Sequence, residues 1–87
     1  MIQYYEIYQM KELNFYKYCD DETNNLHYWE TETHTTLDIA EPIIENLTMM
    51  FPNATVSLLK TNQLWCRINV KFYSSEDSDL FCVLLGG

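Results

Sequence analysis

Between Leu64 and Tyr73 the side chains alternate without a break. Leu64, Cys66, Ile68, Val70 and Phe72 are apolar, and Trp65, Arg67, Asn69, Lys71 and Tyr73 interleave with them. A helix cannot sort such a pattern, because its period is near 3.6. A strand puts successive residues on opposite faces and so gives one dry face and one wet one. This segment is therefore expected to be a half-buried strand, and whatever covers Ile68 and Val70 must come from elsewhere in the chain. "ATVSLL" (Ala54 to Leu59) precedes it as a second strand, with Lys60 to Gln63 as the hairpin loop.

After it comes the polar stretch "SSEDSD", read as a turn, and then "LFCVLL" (Leu80 to Leu85). That last segment is apolar at both parities, as expected of a strand covered on two sides. Ile39, Ile43, Leu47 and Met50, joined by Ile44 and Phe51, recur at helical spacing opposite Glu41, Glu45, Asn46 and Thr48. Asp38 with Glu41 three residues on resembles a capping box, which would let Pro42 fall where the helix has barely begun. Upstream, "IQYYEIYQ", "LNFYKYC" and "LHYWETET" are rich in β-formers and separated by polar turns. The expected order is β-β-β-α-β-β-β, a single helix on a mainly antiparallel sheet. This is an α+β fold in one domain over residues 1–87.

Composition narrows the function classes. Thirteen acids against five bases give a net charge of −8, a field that repels phosphate backbones and anionic membranes and attracts basic partners. Aromatics make up 15% of the 87 residues, more than so small an interior can hold, so some rings belong to the surface. "MIQYYEIYQMKEL" has neither a basic nor an apolar signal-peptide region, and no run approaches the ~20 apolar residues of a membrane span. Cys19, Cys66 and Cys82 are odd in number and lack CxxC spacing, which reads as reduced thiols in a cytoplasmic protein, the host cytoplasm if the source is viral.

No constellation for chemistry stands out. His27 and His34 are seven apart and point to opposite faces of a regular strand, so they cannot share a metal ion. Asp20, Glu22 and Asn24 have the oxygen spacing of a calcium loop but not its glycine or closing glutamate. Cys19 is surrounded by carboxylates that disfavour its thiolate. No glycine precedes Gly86 to shape an oxyanion or phosphate loop. The expectation is a non-enzymatic protein without metal or cofactor. Trp65, Arg67, Asn69, Lys71 and Tyr73 share a face suited to stacking and charge. Two cations on so acidic a chain supply little counterion release, so direct nucleic-acid binding is not expected.

The ending "VLLGG" resembles the tails of ubiquitin-like carriers and of the small sulfur carriers, whose terminal carboxylate is activated by adenylation. That resemblance implies a carrier acting through Gly86 and Gly87. In size, acidity and lack of motif the chain is also similar in profile to viral anti-defence inhibitors, including DNA mimics and anti-CRISPR proteins. The second profile is preferred, as a protein that occludes a basic, nucleic-acid-binding surface. Its expected contact residues are the carboxylates of Asp20, Asp21, Glu22, Glu30, Glu32, Glu76, Asp77 and Asp79, with Trp29, Trp65, Arg67 and Tyr73 as anchors. Glu30 and Glu32, two apart on a strand, would lie ~6.8 Å from each other, about twice the ~3.4 Å phosphate rise of one DNA strand. Aromatic edge strands would also permit a homodimer.

Overall fold

The computed structural model describes residues 4–21 and 23–86. The chain runs α1 (Tyr4–Leu13), β1 (Phe15–Asp21), β2 (Leu26–Thr31), α2 (Leu37–Met50), β3 (Thr55–Lys60), β4 (Cys66–Phe72) and α3 (Ser75–Leu84). The four strands form one sheet in the order β1-β2-β4-β3, every neighbour antiparallel. The fold is α+β as expected, with three helices instead of one.

The Leu64–Tyr73 alternation forms β4, where Cys66, Ile68, Val70 and Phe72 are buried at alternate positions. The inner face of β2 adds His27, Trp29 and Thr31, and β1 adds Phe15. Helices supply the cover: Ala40, Ile43 and Leu47 from α2, Phe51 at its end, Met10 and Leu13 from α1, and Phe81 from α3. Phe81 is the hub of this core. Its ring centre lies 5.2 Å from Phe15, 5.2 Å from Trp29, 5.3 Å from Phe72 and 6.0 Å from Phe51.

Three expectations require correction. Leu80–Leu85, expected as a strand, belongs to α3 and its end. Ser74 is the N-cap, its hydroxyl accepting the Asp77 N–H at 3.2 Å, with Glu76 and Asp77 in the first turn, where carboxylates suit the helix dipole. "SSEDSD" is thus the opening of a helix rather than a turn. Phe81 is buried while Leu80 and Val83 are 52% and 67% exposed, a helical periodicity hidden by uniform apolarity. The first expected strand is α1 over its described residues, closed by Asn14 at φ 58°. Asparagine takes the left-handed turn that glycine would take in a chain richer in it. Finally, Thr36 and not Asp38 caps α2. The helix therefore runs through Pro42, whose carbonyl accepts the Asn46 side-chain amide at 2.9 Å.

The β1–β2 pairing slips between Lys17 and Cys19, so Tyr18 and Cys19 together oppose Tyr28. Such a bulge resets side-chain parity. Tyr16 and Tyr18 face outward, yet Asp20 pairs with His27 on the inner, helix-covered side. That one inserted residue shapes the site described next.

Candidate functional site: an acidic end

At one end of the sheet the β1–β2 hairpin meets the first turn of α3. Lys17, Asp20, Asn25, His27, Ser75 and Asp79 line a cavity of about 380 Å³ there. Asp20 and Asp79 come from the two acidic segments singled out in the sequence. Folding brings both segments to a single place.

Asp20 is the most engaged carboxylate of this end. One oxygen lies 3.2 Å from Lys17 Nζ and the other 2.5 Å from His27 Nδ1. Desolvation acts on it in the opposite direction, but the Lys17 ammonium and the His27 ring hold its carboxyl below the ordinary carboxylate value. The His27 side chain is only 5% exposed, and neither ring nitrogen has a hydrogen bond of good geometry. Its Nδ1 lies against the Asp20 carboxylate, while Nε2 has no hydrogen-bond partner among the described residues. Asp21 accepts the Asn24 side-chain amide at 2.9 Å. Around this network Glu76 and Asp79 are exposed and Asp77 is half-buried. Tyr73, 47% exposed, directly precedes the Ser74 cap, but its side chain lies on the outer sheet face, its hydroxyl bonded to Thr55 at 3.0 Å and its ring 5.2 Å from Lys71 Nζ.

Other expected contact residues lie elsewhere. Trp29 is 7% exposed, and its indole N–H donates to the buried Ser78 hydroxyl at 2.9 Å; it is a core residue and not a surface anchor. Glu30 is on the outer sheet face but committed: it accepts the Tyr16 hydroxyl at 3.2 Å and lies 3.9 Å from Arg67 Nη1. Glu32 follows the end of β2 and accepts the Asn14 amide. Trp65 is exposed at the opposite end of β4, where it lines a cavity of about 430 Å³ with Thr33, His34, Thr61 and Asn62. Glu22 and Gly87 lie outside the described residues. Among the described residues no group of three His, Cys, Asp or Glu side chains is placed to hold a metal ion, and no helix is long and apolar enough to cross a membrane.

Part of the outer sheet face was not legible in the sequence. To Arg67, Asn69, Lys71 and Tyr73 the structure adds Tyr16 and Tyr18 from β1 and Tyr28 from β2. The rings form a chain: Tyr16 to Tyr18 at 6.2 Å, Tyr18 to Tyr28 at 5.8 Å, then Lys71 Nζ 5.6 Å from Tyr28 and 5.2 Å from Tyr73. The signal was the period-two "YKY" at Tyr16–Tyr18, legible only once β1 is known to pair with β2.

Comparison with known protein families, curated proteins and solved structures returns no match. The chemistry of this chain rests on its own residues.

Proposed function

We propose that this protein is a non-enzymatic interaction module that presents its acidic end to a basic protein surface and occludes it. The supporting observation is the gathering of Asp20 and Asp79 around one polar cavity, with Glu76 and Asp77 on the adjoining turn. Carboxylates from separate segments, set on a helix start and a hairpin end, form a fixed acidic surface instead of two independent tails. Exposed Glu76 and Asp79 pair with partner Arg and Lys side chains. Rim charges of this kind act mainly on the association rate and are sensitive to salt. A surface that normally meets nucleic acid is the natural target for such a charge pattern, which keeps the DNA-mimic and anti-CRISPR profile as the preferred reading.

The carrier reading has less support. Carriers present an extended tail after a strand, whereas here α3 leads to the end. Gly86, at φ 88°, closes that helix through its N–H to the Val83 carbonyl at 2.9 Å. Its role in this fold is that of a helix-terminating glycine.

The test is affinity capture from the native cell with wild-type bait and with a Glu76→Gln/Asp77→Asn/Asp79→Asn bait. The Ser74 cap uses the backbone N–H of Asp77 and survives the change. The proposal expects a basic partner retained at low salt by wild type and lost by the variant. Equal retention by both baits would count against it.

A further inference from the structure

From the outer face of the sheet we infer a second binding site, one that takes single-stranded nucleic acid by stacking. Its warrant is independent of the acidic end. Three phenol hydroxyls of this face are tied down within the protein. Tyr18 on β1 accepts the Asn69 amide of β4 at 3.0 Å, Tyr16 donates to Glu30 at 3.2 Å, and Tyr73 shares a hydrogen bond with Thr55 at 3.0 Å. β2 lies between β1 and β4, so Tyr18 reaches across two strand spacings, about 9.6 Å. A phenol that does so must lie along the sheet; its ring plane meets that of Tyr16 at 63° and that of Tyr28 at 40°, so the rings offer edges as well as faces. Tyr16, Tyr18 and Tyr73 remain 39%, 47% and 47% exposed despite these bonds. The rings are therefore held in place before any ligand arrives, and little ordering cost is left for binding.

Arg67 and Lys71 stand among these rings. The carboxylates at outward positions of the paired strands are Glu30, already held by Tyr16 and Arg67, and Asp21 at the hairpin end, held by Asn24; Glu32, just beyond β2 and held by Asn14, also acts on Tyr16. Asp38, Glu41 and Glu45 belong to α2, and Glu76, Asp77 and Asp79 to α3, in the layer behind the sheet. Six of the chain's thirteen acids are therefore carried behind the sheet and not on this face. Exposed, hydrogen-bonded rings with the Lys71 ammonium between them match bases that stack and a phosphate that passes alongside. A duplex, whose base faces are hidden, does not fit.

The site makes a quantitative demand. One phosphate neutralised by Lys71 on a single strand gives a slope of about −0.7 in log affinity against log salt, far shallower than for basic binders. The stacked rings must carry the rest. The experiment is fluorescence anisotropy of labelled oligo(dT) and oligo(U) of about eight nucleotides, a typical site size, across a salt series. Both arms are run with wild type, Tyr18→Leu, Tyr28→Leu and Lys71→Gln, each checked for fold by circular dichroism. We expect saturable binding with that shallow slope, a roughly 5- to 150-fold loss for each tyrosine variant, and a slope reduced by about 0.7 in Lys71→Gln. No binding to either oligonucleotide, or binding indifferent to both tyrosines, would overturn the inference. So would a self-association lost in Tyr18→Leu without nucleic-acid binding, which would assign the face to a second copy of this chain.

Discussion

Truncating Phe81 and Val83 separately distinguishes the helical chain end from the strand that its apolarity suggests. In a strand the two residues, two apart, share a face and should cost about the same when shortened. In α3 they do not: Phe81 is 0% exposed at the centre of the ring cluster, and Val83 is 67% exposed. Phe81→Ala removes a side chain whose ring lies 5.2 Å from both Phe15 and Trp29 and 5.3 Å from Phe72, in a core with little freedom to collapse. The expected loss is about 3–5 kcal/mol. Total stability at this size is roughly 4–13 kcal/mol, so Phe81→Leu accompanies it in case the alanine variant fails to fold. Val83→Ala, on the exposed side, should stay within about 0.5 kcal/mol of wild type. Urea unfolding followed by far-UV circular dichroism gives all three values on one scale. Comparable losses for Val83→Ala and the Phe81 variants would refute the helical assignment and the packing built on it.

Acid titration of stability tests the Asp20 network. The folded Asp20 carboxyl is held below its ordinary value, so its contribution is present above the unfolded pKa near ~3.9 and is lost as pH falls through the folded one. Asp20→Asn should therefore flatten the acid limb of urea stability against pH and leave its shape near neutrality unchanged. Thiol labelling should separate the cysteines. Cys66 is buried, its Sγ directed to the Thr35 carbonyl at 3.3 Å, and burial pushes its thiol up; it should resist an alkylating reagent until unfolding, while exposed Cys19 reacts at once. Tyrosine ionisation followed by NMR should place Tyr73 below its ordinary value, through the Thr55 hydroxyl beside it. Tyr16 should lie above, raised by partial burial and by the Glu30 carboxylate that accepts its hydroxyl.

The parts of the fold legible in the sequence were those in which apolarity alternates with polarity. β4, β3 and α2 each present one apolar face, and the period alone identifies them. α3 was hidden because Leu80–Leu85 is apolar throughout, which erases the difference between periods of two and 3.6. Its signal lay upstream, in the Ser74 cap and the acids of the first turn. α1 was hidden by tyrosines, whose β preference is overridden when Met10 and Leu13 find burial on one helical face. At the site, charge was legible and placement was not. Two acidic segments were visible, but their meeting depends on α3 existing and on the bulge at Tyr18 that turns Asp20 toward His27. Trp29 was misjudged for a related reason: its burial and its bond to Ser78 both require α3 to lie over β2.

The acidic end is tested most directly by the footprint of the captured partner on the isotopically labelled protein, read as amide shift changes at low salt. The account predicts changes concentrated at Asp20, Asp21 and Ser75–Asp79, fading as salt rises. A footprint centred on Leu64 and Trp65 at the opposite end of the sheet, or one indifferent to salt, would contradict it.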